Sequence, residues 1–152
     1  MQYWLFKSEP HAYSLDDLER DGITQWSRVR SFQARNNMQR MKRGDRGFFY
    51  HSSIAQPAAV GIVEVAREAY PDFTSWDPHS EYYDPRSPEH RPLWRMVDVK
   101  FVARLARPVT LAEMRAEPRL RAMALLKRGQ RLSVQPVLAR EWKTIMELSQ
   151  NR

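Results

Sequence analysis

Two segments, Phe48-Phe49-Tyr50 and Val60-Gly61-Ile62-Val63-Glu64-Val65, run almost without a polar interruption, and no other feature constrains the fold as much. Successive side chains of a strand point to opposite faces, so a strand with one wet face alternates apolar and polar residues. These two segments do not alternate. Each reads as a strand apolar on both faces, as in a sheet that is closed on itself or covered on both sides. Gln2 to Phe6 reads as a further apolar strand, and Ile23 to Trp26 as a short one. Val97, Val99 and Phe101 alternate with Asp98 and Lys100, which predicts a strand with one wet face. The main strands are expected at residues 2–7, 47–51, 59–70 and 93–103, with a last short strand over 131–134.

Helix signals fall between these strands. Ser14 followed by Asp17, and Thr110 followed by Glu113, have the spacing of capping boxes, and Ser31 is a third candidate N-cap. Pro118 interrupts the helix that Thr110 opens. Leu138, Trp142, Ile145 and Met146 share one helical face, so the chain ends in an amphipathic helix packed on the body. The elements lack the regular strand–helix–strand rhythm of a parallel sheet. The fold class is therefore α+β, and 152 residues fit one domain spanning 1–152.

The segment Pro71 to His90 stands apart. Pro71, Pro78, Pro85 and Pro88 exclude a central strand or a helix. Phe73, Trp76, Tyr82 and Tyr83 argue that this long loop is ordered, because disordered segments are poor in aromatics.

Charge narrows the function classes. The formal net charge is +7, and of 25 basic residues only Lys7, Lys42, Lys100, Lys127 and Lys143 are lysines; the other twenty are arginines, whose planar fork matches phosphate. Arg28, Arg30, Arg35, Arg40, Lys42, Arg43 and Arg46 face one acid, Asp45, and lie beside Trp26 and Phe32. A second block runs from Arg104 to Arg131 and includes Arg128. The loop between them is acidic. Most charge runs are only a solvated face. Cations interleaved with aromatics and amides offer what phosphates and bases need, and they point to a nucleic-acid partner.

Several chemistries find no support. There is no cysteine, which removes disulfides and thiolate metal sites and fits a reducing, cytoplasmic setting. His11, His51, His79 and His90 are scattered without ligand spacing, so no metal is expected. Five glycines form no phosphate cradle, and no cofactor is expected. No apolar run is long enough for a membrane helix, and the opening residues lack the basic region and cleavage site of a signal peptide. His51-Ser52 lacks the elbow of a serine hydrolase.

Read in order along nearly the whole chain, Trp4-Leu5-Phe6-Lys7-Ser8-Glu9-Pro10, Trp26 to Asn37, Phe49-Tyr50-His51-Ser52, Val60 to Val65, Ala69-Tyr70-Pro71-Asp72, Tyr82-Tyr83-Asp84-Pro85 and Arg131 to Val137 resemble the EVE-domain family. The resemblance implies a PUA-like fold, a small and mostly antiparallel β-barrel with flanking helices. It also implies a non-catalytic reader of a modified base in DNA or RNA, related to the YTH domains that hold a methylated adenine in an aromatic cage. Lys7, Ser8 and Trp26 resemble the pocket residues of those relatives, and Asn36 or Asn37 their asparagine. Tyr50, His51 and Ser52 would flank the pocket. Trp76, Tyr82, Tyr83 or Phe73 would complete it, with Ser133 and Gln135 in its wall. Arg28, Arg30, Arg35, Arg40, Arg43, Arg128 and Arg131 would hold phosphates. Two other classes stay open: an enzyme acting on a nucleoside or small amide, with His51 as base and Glu9 or Asp84 as acid, and a protein–protein adaptor using the acidic aromatic loop.

Overall fold

The computed structural model describes residues 1–151. Six strands form one sheet: β1 (Tyr3–Ser8), β2 (Ile23–Trp26), β3 (Arg46–His51), β4 (Ala58–Pro71), β5 (Arg95–Thr110) and β6 (Val134–Val137), in the order β2-β5-β4-β3-β1-β6. The ladder is antiparallel except for the interior pair β1–β3, which runs parallel. The fold is α+β, as expected, but the hydrogen-bonded ladder does not close: β2 and β6 are its edges, so the expected barrel is an open mixed sheet. The last strand begins at Val134, three residues after the expected start. Ser133 and the residues before it form the approach to it.

The uninterrupted apolar runs follow from two cores, one on each face. Trp4, Phe6, Phe49, Val63 and Val65 point to one face, under helices α1 (Leu15–Asp21) and α2 (Phe32–Arg40). Leu5, Phe48, Tyr50 and Ile62 point to the other, under α3 (Leu111–Ala116), α4 (Ala139–Gln150) and the turns between them. Leu5, Phe6, Phe48 and Phe49 are wholly buried, and each such side chain contributes about 1.5–3 kcal/mol of burial free energy. Two glycines permit this packing. A Cβ on Gly47 would lie 2.6 Å from the Phe6 ring, and one on Gly61 would lie 2.7 Å from Leu15. The second contact seats α1 directly on the sheet.

The capping boxes form at Ser14/Asp17 and Thr110/Glu113, and Ser31 caps α2 through the Ala34 amide. Trp142 lies on the body as expected, stacked on Tyr3 and Phe48 at 4.4 and 4.0 Å between ring centres. Leu138 departs from its expected place: it is the residue before α4 and is half exposed.

Two polar contacts fix the layers. The buried Asp45 carboxylate accepts from the Trp4 indole (3.1 Å), the Lys42 amide (3.0 Å) and the Gln2 amide (3.2 Å), which ties the start of β1 to the turn after α2. Across the same face, the Leu15 amide donates to His51 Nε2 at 3.1 Å, which ties the first turn of α1 to the end of β3. Burial pushes the His51 pKa below its ordinary value, with nearby Asp16 opposing the shift and Arg104 assisting it.

Asp45→Ala strips three hydrogen bonds from a carboxylate and leaves the buried Trp4 indole unpaired. The expected cost is about 1.5–3 kcal/mol, or a fall in Tm of about 3–12 °C for a chain of this length. A shift under about 1 °C in thermal melting contradicts the assignment. For His51, folding favours the neutral ring, so the unfolded chain takes up its proton first as pH falls below about 6.5. Stability from this group is complete above that pH and is lost on acidification toward the lower folded-state pKa. Tm measured from pH 8 to pH 5 therefore falls less in His51→Gln than in the wild type; parallel curves contradict this.

Candidate functional site

At the C-terminal ends of β1 and β2 the two edges of the fold leave a cavity of about 520 Å³, within the range of small-ligand sites. Lys7 and Ser8 at the end of β1 contribute one wall, continued by Glu9, Ala12 and Tyr13 in the connection to α1. Thr24, Gln25 and Trp26 of β2, with Ser27, Arg28 and Val29 after it, make the second. Tyr82 enters from the long loop, and Ser133 from the approach to β6.

Each wall is held by backbone and side-chain bonds. The Lys7 amide donates to Ser133 O at 2.8 Å, and the Ser52 amide to Ser8 O at 2.9 Å. The Ser8 hydroxyl donates to Tyr13 O at 2.5 Å, leaving its lone pairs as acceptors. Burial lowers the Lys7 pKa. Trp26 is half-buried: its ring makes edge contacts with Phe6 (5.2 Å) and Phe49 (5.8 Å) while also lining the cavity. It therefore serves both the core and the site.

The long loop is ordered around polar groups. Asp72, Ser75 and Ser87 are wholly buried. The Ser75 and Ser87 hydroxyls lie 2.8 Å apart, and Ser87 Oγ accepts from the Leu93 amide. The Trp94 indole donates to Asp84 at 2.8 Å, and Arg86 pairs with the same carboxylate. The Arg86 guanidinium and the Trp94 indole hold the Asp84 pKa far below the carboxylate range.

Of the side chains expected in the pocket, the fold brings Lys7, Ser8, Trp26, Tyr82 and Ser133 together around one cavity. The others lie elsewhere. Strand alternation turns Tyr50 to the opposite face, where burial pushes its pKa up to about 12. His51 lies under α1 and not in the cavity wall, with its Nε2 engaged by Leu15. Ser52 donates its amide to β1 but does not line the cavity. Asn37 is buried and donates to Val134 O at 2.9 Å, joining α2 to β6, while Asn36 is exposed and accepts from Arg35. Gln135 is buried against Leu132 O, and Trp76 and Tyr83 sit on the loop outside the cavity wall.

The arginines divide in the same way. Arg30 is consumed by the fold: its guanidinium donates to Asp72, Thr74 Oγ1, Val29 O and Tyr82 O, which withdraws it from the expected phosphate contacts. Arg35 donates to Leu93 O and lies 4.9 Å from the Phe32 ring centre. Arg28 lines the cavity, with its guanidinium 5.2 Å from the Tyr82 ring centre. Arg40, Arg43, Arg128 and Arg131 are exposed and form no ion pair among the described residues. No group of three or more histidine or acidic side chains comes together among these residues, and no helix among them is long and apolar enough to cross a membrane.

Glu9, the candidate acid of the enzyme reading, lines the cavity, whereas its suggested base His51 does not; sequence reasoning missed Ala12, Tyr13, Thr24, Gln25, Ser27 and Val29 as wall residues. Their types carry no signal; only their adjacency to Ser8 and Trp26 could have pointed to them.

The human protein Thymocyte nuclear protein 1 is 37% identical over 167 residues, an alignment that covers 97% of this chain and 74% of that protein. The crystal structure of human THYN1 protein in complex with 5-methylcytosine containing DNA matches with a TM-score of 0.95 at 36% identity, covering 100% of this chain and 99% of that one. The YTH domain of the Zygosaccharomyces rouxii MRB1 protein, solved in complex with N6-methyladenosine RNA, matches at 16% identity with a TM-score of 0.54, covering 99% and 85%, and shares the fold alone. The family model described as the EVE domain matches residues 2–148. This chain belongs to the EVE domain family.

Proposed function

We propose that this protein reads a modified base in nucleic acid, by taking the base into the cavity between β1, β2 and the long loop. The observation that carries the reading is the likeness, over the full chain, to a human protein solved with 5-methylcytosine containing DNA. The cavity supports it: about 520 Å³ accommodates a nucleobase, and Trp26 and Tyr82, which line it, would offer the base a stacking surface. A base inside a duplex cannot reach such a site, so the substrate is a flipped or single-stranded nucleotide. Lys7 and the Ser8 hydroxyl would meet its polar edge. Arg28 would take a flanking phosphate at the rim, with Arg35, Arg40, Arg43, Arg128 and Arg131 along the strand. Phosphate contacts carry no sequence information, so discrimination falls to the pocketed base and its modification. This role requires no bond-making chemistry.

The reading is tested by competition between short oligonucleotides identical except for one cytosine or 5-methylcytosine. A methyl group packed against an apolar surface such as the Trp26 or Tyr82 ring is worth about 1–3 kcal/mol, so the preference is expected to lie between about tenfold and two hundredfold. Equal affinity contradicts the reading. Salt dependence supplies a second check: with about four to six phosphates held on a single strand, log affinity falls against log salt with a slope of about −3 to −4. A flat response removes the phosphate contacts. For the stacking surface, Tyr82→Ala is the cleaner variant, because Trp26 also packs on the core. It is expected to weaken binding of the modified oligonucleotide by about tenfold to a hundredfold, the worth of one stacked base. Unchanged affinity excludes Tyr82 from the site.

A further inference from the structure

The wall that carries Tyr82 depends on one buried carboxylate. Asp72 is wholly buried, at the start of the long loop. It accepts from the Arg28 amide at 2.8 Å, Arg30 Nη1 at 3.0 Å, the Thr74 amide at 2.9 Å and Thr74 Oγ1 at 2.6 Å. Arg30 extends the network to the middle of the loop. Its Nε and Nη2 both donate to Tyr82 O, at 3.1 and 2.8 Å, and Nη2 also donates to Thr74 Oγ1 at 3.0 Å. One ion pair therefore joins the segment after β2 to two points ten residues apart on the loop.

The backbone carries a further sign. Arg28 adopts φ +74°, a left-handed conformation that non-glycine residues seldom take. Its amide is held by Asp72, and its side chain lies over Tyr82. Strained backbone that the surroundings over-determine clusters at functional sites, where it presets geometry. Here the strained residue and the ring it covers both line the cavity.

We propose that the Asp72–Arg30 pair is a positioning device that sets the selectivity of the cavity by fixing Tyr82 and Arg28 in its wall, without Arg30 touching nucleic acid itself. The inference rests on the base-reader reading above. Arg30 lies within the most basic block of the sequence, yet every donor of its guanidinium faces the protein. Removing it would free the loop to change the width of the slot, and the phosphate contacts along the strand would remain.

The test compares wild type, Arg30→Lys, Asp72→Asn and the milder Thr74→Val, each checked for folding by thermal melting. Affinities for single-stranded oligonucleotides carrying one cytosine or one 5-methylcytosine are measured at several salt concentrations. The expected result is a methyl preference that drops from at least about tenfold to below about threefold in Arg30→Lys and Asp72→Asn, and partway in Thr74→Val, while the salt slope stays at the wild-type value. A slope reduced by about 0.7 in a further variant, Arg30→Gln, which removes the charge that Arg30→Lys keeps, marks Arg30 as a phosphate contact and overturns the inference. So does a full methyl preference retained in the folded variants. Should the two ion-pair variants fail to fold, Thr74→Val decides: a full preference there overturns the inference. A wild-type protein without methyl preference overturns the reader reading and the inference with it, whereas a wild-type preference that the variants keep overturns the inference alone.

Discussion

The parallel pairing of β1 with β3 is the constraint on which the rest of the molecule depends. Leu5 opposite Phe48 and Phe6 opposite Phe49 place large apolar groups on both faces of the sheet in its interior. Neither face can meet water, so helices must cover both. α1 and α2 cover one, and α3 with α4 the other. The same pairing ends at Ser8 and His51, side by side. From that shared end the chain leaves β1 through Glu9 to Tyr13, which is one wall of the cavity. The site is thus set at the rim of the buried β1–β3 pair.

The side that Tyr82 closes is built by other means. The long loop buries few large apolar side chains and is ordered by hydroxyls and carboxylates: Asp72, Ser87 and Asp84 each answer backbone or indole donors, and the Ser75 hydroxyl donates to the Asp72 carbonyl beside Ser87. Polar networks of this kind specify one geometry and lose much of their worth when a single member is removed. The cavity is thus bounded by the ends of two strands and by one side chain, Tyr82, that a polar network holds.

Much of this was legible in the sequence, and the reasons are particular. Phe48-Phe49-Tyr50 and Val60 to Val65 announced a sheet covered on both faces because their period was missing. Ser14, Ser31 and Thr110 marked helix starts because a cap is a local hydrogen bond with a fixed spacing. That the sheet stays open instead of closing into the expected barrel was not legible, because the presence or absence of pairing between edge strands leaves no trace within either strand. The register of the last strand slipped by three residues because Leu132-Ser133-Val134 alternates no more clearly than Val134-Gln135-Pro136. In the site, Lys7, Ser8 and Trp26 were found through the family motif, and Ser133 with them. That the Arg30 guanidinium is held within the fold was not legible, because its partners, Asp72 and Tyr82, lie more than forty residues away in sequence. Charge in a basic block shows what a side chain offers and not what already holds it.

The most direct test of the central claim follows the tryptophan indole resonances by NMR while a short single-stranded oligonucleotide carrying one 5-methylcytosine is added. Five tryptophans provide internal controls: Trp26 lines the cavity, whereas Trp142 stacks on Tyr3 and Phe48 on the opposite face. The account predicts a large shift of the Trp26 indole proton that saturates with binding, a Trp142 resonance that stays in place, and a smaller Trp26 shift with the unmethylated strand. Binding that shifts surface arginine resonances and leaves Trp26 unmoved would contradict it.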